Sequence, residues 1–426
     1  MRFPLSLTRK SASFLIAAAV LSGVLSLPSP ARAGMLQPGD FVAICGDSIT
    51  AQRIYSVYME EYLILCQPAP DLQAQQFGWG GESAPSYLDR MENDVIVFHP
   101  NIVTLCYGMN DGRYTPVNPG TLDTYRNAMT SIVEGLKKAG VRNIVVGTPG
   151  AVDTNSFKKL DPVVYNNTLK ELGNVARDVA EKQGVGFADV HSVMIEAMAK
   201  AKAKYGDKYN VAGNDGIHPN RNGHLIMAYA FLKALGCDGD IGTITLDMKD
   251  GKAEATAGHK VLAAGKGFVE VESSRYPFCF SGDPAQQESN LGMAEFIPFN
   301  NDLNRFNLVV KNPTGKSVKV TWGQSTKTFS AEQAASGINL AAEFPENPFS
   351  KPFAEAEARI REKQTLEGVL SKDLLHSTPL WVQSFPDEKE TFQKLAAKIV
   401  DRAAARRKQS SQLAVLVKYK IVVESL

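Results

Sequence analysis

The sequence has no surplus of charge of either sign. Its 46 Lys and Arg against 45 Asp and Glu leave a formal net charge of +1 over 426 residues. No basic stripe or acidic run breaks that balance, so the electrostatic footprint of a nucleic-acid partner is missing and none is expected. Beyond the first 33 residues, no apolar run approaches the ~20 residues that span a bilayer. The five cysteines include no CxxC pair and no cluster with histidine at ligand spacing, so no metal or other cofactor is expected. Internal repeats and long low-complexity linkers are also absent.

The exception to this even composition is the N-terminus. Arg2, Arg9 and Lys10 precede "SFLIAAAVLSGVLSL", and "PSPARA" ends in Ala31-Arg32-Ala33. A charged start, a short apolar core and a small-residue cut site predict a secretory signal over 1–33, cleaved before Gly34. Cleavage removes four positive charges and takes the net charge from +1 to −3. The protein is thus expected to be exported, to the periplasm or beyond, with no stable membrane anchor. Five cysteines in an exported chain leave at least one unpaired. Cys45 and Cys106 lie in apolar runs and read as buried thiols, whereas Cys237 and Cys279 are candidates for a bridge.

A chain of this length exceeds one ordinary core, and two or three domains are expected. From about 38 to 237, short β-branched runs ("FVAIC", "NIVTLCYG", "RNIVVGTP", "VGFADV") alternate with helical patterns. One of these, "TLDTYRNAMTSIVEGLKKAG", puts Leu122, Tyr125, Met129, Ile132, Val133 and Leu136 on one face. Such alternation predicts an α/β domain over 34–238 with a mostly parallel sheet, whose ligands collect at the carboxyl ends of the strands. Past Cys237, alternating apolar residues and Gly turns predict a small β-rich module over 239–345, with a hairpin around Asn312-Pro313-Thr314-Gly315. The remainder, 346–426, is charged and helical until "LAVLVKYKIVV", a final strand that could return to the β module.

Four stretches of the first region carry polar residues where strands end. "GDSIT" sets Ser48 between a buried strand and a helix; "FGWGGESA" is a loop of small residues containing Gly81; "GMND" puts Asn110 just past a strand; "DGIH" places Asp215 three residues before His218. Each has a plain explanation as a turn or a helix cap. At ordinary residue frequencies a chain this long holds Gly-Asp-Ser by chance about one time in ten. Together, however, they supply what acyl transfer needs. Ser48 is a candidate nucleophile, His218 its base and later the acid, and Asp215 the group that fixes the imidazole. The amides of Ser48 and Gly81 and the Asn110 side chain are candidate oxyanion donors.

In this order the four stretches resemble the blocks of the SGNH (GDSL) hydrolase family, esterase or acetylesterase type. The resemblance covers about half the chain. It implies a flavodoxin-like three-layer α/β/α fold, a catalytic Ser48, Asp215 and His218, and an oxyanion hole at Gly81 and Asn110. One departure is Gln76, where family members often carry Asn five residues before the glycine. The β module and the helical tail lie outside the basic family domain.

Two rival classes are a metal-dependent phosphoesterase, for which Asp47, Asp111, Asp215, His218 and His224 could be gathered, and a carbohydrate-binding protein without catalysis. The first lacks a Gly-Asn-His pair, and His224 reads as a surface or packing residue. The second has no need of an intact Ser48, Asn110, Asp215 and His218, although Tyr276, Phe278 or Trp322 could serve a glycan. The loops expected to rim the site, such as "DGRYTPVNPG", are polar. Trp79, Tyr107 and Tyr114 are the large rings near the motifs and the candidate substrate-binding residues. The expected substrate is a small or carbohydrate ester with a short, acetyl-type acyl group, with a lipase or lysophospholipase as the alternative.

Overall fold

The computed structural model describes residues 35–426, so the expected signal segment and its cut site lie outside the described residues. The first strands form because their apolar runs are buried on both faces. β1 (Phe41–Gly46) and β3 (Ile102–Cys106) are buried at every position, and β4 (Asn143–Gly147) at all but its first. With β2 (Gln73–Gln76) and β5 (Gly186–Ala188) they make a parallel sheet in the order β2-β1-β3-β4-β5. Between them run α1 (Ser48–Ala51), α2 (Tyr55–Glu61), α3 (Ala84–Asp94), α4 (Pro119–Lys138) and α5 (Pro162–Gln183), followed by α6 (Val190–Tyr205) and α7 (Arg221–Ala234). Helices α3, α4 and α5 pack in sequence, and α2 and α6 each pack on α7, giving the three-layer α/β/α arrangement. Local signals set the helix starts. Asn118 caps α4 and Asp161 caps α5, each followed by proline at the first helical position.

The β2 strand is missing from the sequence reading because its residues are Gln-Ala-Gln-Gln. They are buried nevertheless, Gln75 accepting from Arg407 at 2.7 Å and Gln76 from the Gly78 amide at 2.9 Å. Gln76, where the sequence departs from the family pattern, thus bonds the backbone of the loop that follows β2.

The second region is built from two sheets. β6 (Asp240–Asp247), β7 (Ala253–Ala255), β8 (His259–Gly265) and β9 (Phe268–Ser273) come first, then a short α8 (Phe299–Leu303), β10 (Arg305–Lys311), β11 (Ser317–Trp322) and β12 (Ser325–Ser330). After α9 (Ala331–Ser336), β13 (Ile338–Asn339) and α10 (Leu340–Glu343) come α11 (Ser350–Gly368), α12 (Thr378–Ser384), α13 (Lys389–Ser410) and β14 (Val417–Ser425). One sheet runs β13-β10-β6-β7 and the other β12-β11-β14-β9-β8. Trp322 is fully buried between them, with ring centroids of Phe306, Phe344, Phe349 and Tyr419 between 5.8 and 6.1 Å away.

The expected hairpin at 312–315 does not form. β10 spends both edges on β6 and β13, while β11 pairs with β12 and β14, so the turn passes from one sheet to the other. Asn312 makes the bend at φ +53° and anchors it by donating to both Asp247 carboxylate oxygens, at 3.0 and 2.9 Å. The expected Cys237–Cys279 bridge is also absent. All five cysteines are free and buried, and burial pushes the Cys45 thiol up to about 12 against its bond from Tyr87.

The described residues form one compact unit, within which α11 docks on α2 through buried polar groups. Glu60, fully buried, accepts from Lys363 (2.6 Å), Gln364 (2.8 Å) and Ser410 (3.1 Å). Arg221 of α7 forms a bidentate pair with Glu357 of α11 at 2.8 and 3.1 Å.

Candidate active site

The site lies where β1 and β3 end. Gly46 is required at the end of β1, since a Cβ there would meet Thr50 Oγ1 at 2.2 Å and the Cys106 carbonyl at 2.8 Å. Asp47 caps α1 by accepting from the Ile49 amide at 2.9 Å, which makes Ser48 the first residue of the helix. Ser48 Oγ stands 2.7 Å from His218 Nε2, and His218 Nδ1 stands 2.6 Å from Asp215 Oδ2. The other Asp215 oxygen accepts from the Ile217 and His218 amides, both at 2.9 Å. Burial works to raise the Asp215 carboxyl, but these bonds from His218 and Ile217 outweigh it and hold the group below the usual carboxylate range. Asp215 therefore stays ionised, accepts a hydrogen bond from Nδ1–H and leaves Nε2 free to accept from Ser48. Gly213, at φ +78°, lets the loop close, because a Cβ there would lie 1.8 Å from the His218 carbonyl.

Gly81 sits on the opposite side of the strand ends at φ +73°. Among the described residues, neither its amide nor that of Ser48 donates to another protein group. Asn110 Nδ2 gives one proton to the Glu82 carbonyl at 3.0 Å, and the Tyr114 hydroxyl donates to its Oδ1 at 3.3 Å. The second amide proton of Asn110 remains available, so three donors are on hand for a developing oxyanion. Of the sequence-predicted residues, Ser48, His218 and Asp215 are joined by direct contacts, and Gly81 and Asn110 line one cleft, with Asn110 tied to the Gly81 loop through the Glu82 carbonyl.

Glu82 and Arg90 escaped the sequence reading. The Glu82 carboxylate, 4% exposed, accepts from Arg90 Nε (2.5 Å), Arg90 Nη2 (2.7 Å) and the Tyr107 hydroxyl (2.8 Å). Burial alone would lower the Arg90 guanidinium, yet the bonds to Glu82 raise it. Arg90 also donates to the Phe77 carbonyl at 2.7 Å. Together they fix the loop whose carbonyl aims Asn110. The available signal was a charged residue inside a loop of small ones, with a basic residue on the following helix. Two further carboxyls lie close by. Burial pushes Asp47 up to about 7 against its bond from Ile49, and Asp111 up to about 6 against its bonds from Ala84 and Gly108. Asp47 and Asp111 are thus engaged with backbone amides rather than grouped around an ion.

The three candidate substrate rings fare differently. Tyr107 is a correction: it is completely buried with its hydroxyl on Glu82, so it faces no substrate. Trp79 is half-buried beside Gly81, but its ring is occupied by Arg90 (5.0 Å), Lys372 (5.2 Å) and His376 (4.7 Å). Tyr114, at φ +54°, is half-buried under the Lys159 ammonium at 3.7 Å and bonded to Asn110. His224 is a packing residue rather than a surface one: it is fully buried against Tyr55, and burial drives its imidazole down to about 3. Tyr276, Phe278 and Trp322 are each 1% exposed or less and present no glycan platform.

A cleft of about 160 Å³ opens at Gly81 and Asn110, lined also by Ser83, Arg113 and Thr124. Arg113, Thr121 and Thr124 continue into a second cleft of about 530 Å³ along the start of α4. A further cleft of about 490 Å³ between α11 and α13 includes none of the site residues.

Residues 44–226 match the GDSL-like lipase/acylhydrolase family. An acetylxylan esterase of Geobacillus stearothermophilus is 27% identical over 189 residues, covering 43% of this chain and 80% of that protein. A structure described as a gut microbial diltiazem-metabolizing enzyme superposes with a TM-score of 0.69 at 20% identity, covering 92% of this chain and 98% of the other. That likeness extends over the sandwich and the helical tail and concerns the fold alone. A structure of the Geobacillus acetylxylan esterase aligns with 47% of this chain and 96% of its own, at 23% identity and a TM-score of 0.40. The match of residues 44–226 to this family model and the similarity to the acetylxylan esterase support a carboxylic ester hydrolase of the SGNH type.

Proposed function

We propose that the protein is an exported esterase that removes short, acetyl-type acyl groups from a polar alcohol such as a carbohydrate. The observation that carries the reading is the relay from Ser48 through His218 to Asp215 at 2.7 and 2.6 Å, set beside free amides at Ser48 and Gly81. Ser48 Oγ attacks the ester carbonyl as its proton passes to His218 Nε2. The carbonyl oxygen, now an oxyanion, accepts from the Ser48 and Gly81 amides and from Asn110. Collapse breaks the bond to the alcohol, which leaves with the proton from His218. Water, deprotonated by the same nitrogen, then releases the acid from Ser48. Asp215 steadies the imidazolium throughout.

Support for the acyl and alcohol classes comes from the similar acetylxylan esterase and from the polar lining of the clefts. A long acyl chain would need apolar walls, each buried CH₂ contributing about 0.8 kcal/mol, whereas Ser83, Arg113, Thr121 and Thr124 line these. Export rests on the signal-like segment 1–33, and N-terminal sequencing of the exported protein should begin at Gly34. In an aryl-ester series, kcat/KM should be far higher for acetate than for octanoate, and Ser48→Ala should lower it by about 10⁴ or more. Preference for octanoate would favour a lipase-type site, and undiminished activity in Ser48→Ala would end the mechanism.

A further inference from the structure

Among the described residues, the rim of the site carries cations that form no ion pair with a carboxylate. Lys372, in the helical turn Val369–Leu375 that follows α11, is half-buried with its ammonium 5.2 Å from the centroid of Trp79, two residues before Gly81. Arg53 leaves the turn after α1 and reaches the same place: a Cβ on Gly368 would have Arg53 Nη1 at 3.8 Å and Gln76 Nε2 at 4.0 Å. Arg113 lines both clefts, one of them together with Gly81 and Asn110. The neighbouring carboxylates are committed elsewhere. Glu82 holds Arg90, Asp94 holds Arg90 and His376, and Asp111 holds the Ala84 and Gly108 amides. Other surface cations do find partners, among them Lys319 with Glu424 and Lys327 with Glu343. Burial, then Arg90 and Arg53, hold the Lys372 ammonium below its usual range, with Glu82 and the adjacent Asp373 opposing.

We propose that Lys372, Arg53 and Arg113 form an anion subsite flanking Ser48, and that the ester's alcohol is a sugar bearing an oxyanion, either a carboxylate or a phosphate. The inference rests on the esterase reading for where the acyl group sits. Its physical basis is separate. Like charges held together at a half-dry rim repel, and a bound anion relieves that repulsion while accepting hydrogen bonds from guanidinium forks suited to carboxylate and phosphate alike. Lys372 also means that the C-terminal region, absent from the family domain, contributes to substrate choice.

The test compares three acetylated methyl glycosides, of glucuronic acid, glucose 6-phosphate and glucose. An anionic sugar should show a kcat/KM about ten-fold above the neutral one at low salt, with the advantage shrinking as salt rises. The two anionic substrates decide between carboxylate and phosphate. Lys372→Met and Arg53→Gln should each collapse the anionic-to-neutral ratio, Lys372→Arg should preserve it, and Arg113→Gln, at an exposed position, should lower it without a folding cost. Calorimetry on Ser48→Ala with free glucuronate and glucose 6-phosphate reads the subsite apart from turnover. Absence of all ester turnover with anion binding retained would sink only the esterase reading. A wild-type ratio near one, or a ratio unmoved in all three charge-removing variants, overturns the subsite.

Discussion

The two halves of the chain bury their strands in different ways. β1 and β3 are buried at every residue, because helices cover both faces of the parallel sheet. In β9, β10 and β11 burial alternates residue by residue, because each sheet packs on one face only. A strand buried on both sides announces its place in the fold through composition. A strand that alternates announces only that it is a strand, and its partner is settled by competition for edges. The first half holds the proposed nucleophile and the proposed oxyanion donors on loops that follow the strands of that sheet. The second half supplies the covering layer, including the Lys372 and His376 contacts to Trp79.

The largest test of this contrast is to separate the halves. Ending the chain at residue 238 leaves buried Glu60 without Lys363, Gln364 and Ser410 and uncovers the face of α2. Removing the partners of a buried charge typically costs about 3–5 kcal/mol, a large part of a domain's stability. The fragment should lack a cooperative thermal transition and ester turnover. A soluble, active fragment would show that the first half is self-sufficient.

A smaller effect is expected within the first half. Glu82→Gln keeps the shape but removes the charge opposite Arg90, which is 8% exposed. Stability should drop by about 3 kcal/mol and kcat by roughly 10- to 100-fold as Asn110 loses its fixed aim. Acyl-substrate KM should change far less, and a loss confined to KM would contradict the positioning role.

An effect of similar size on stability, but dependent on pH and without a loss of turnover, concerns Asp47, whose carboxyl is pushed by burial up to about 7 in the fold against about 3.9 in an unfolded chain. Between those values the folded state holds the extra proton, so stability falls as pH rises from about 4 to 7. Asn at this position can still accept from the Ile49 amide but never ionises. Asp47→Asn should therefore gain stability relative to the wild type across that window, by roughly 2–4 kcal/mol at pH 8. Denaturation midpoints measured at pH 5 and pH 8 check the sign, and an equal offset at both would refute it.

The parallel sheet and the contacts of Ser48 with His218 and of His218 with Asp215 were legible because each depends on local sequence. Apolar runs specify doubly buried strands, and short polar motifs at their ends specify loops. Asn312-Pro313-Thr314-Gly315 was legible as a turn but not as a crossing between sheets, since nothing in a four-residue turn encodes which edges of β10 are taken. β2 was hidden because the side-chain oxygens of its Gln76 and Gln75 accept from Gly78 and from Arg407, which is more than 300 positions away.

What the sequence determined by itself was the alternation of elements and the chemistry of the loops, because side-chain type and spacing act over a few residues. Only the tertiary structure decided which rings face a ligand and which charges go unanswered. Tyr107 and Tyr114 stand seven residues apart, yet one is sealed behind Glu82 and the other bonds Asn110 at the site. Lys372 reaches Trp79 across nearly 300 residues. Burial and long-range pairing are properties of the packed chain, in which each group's surroundings come from segments that no local pattern specifies.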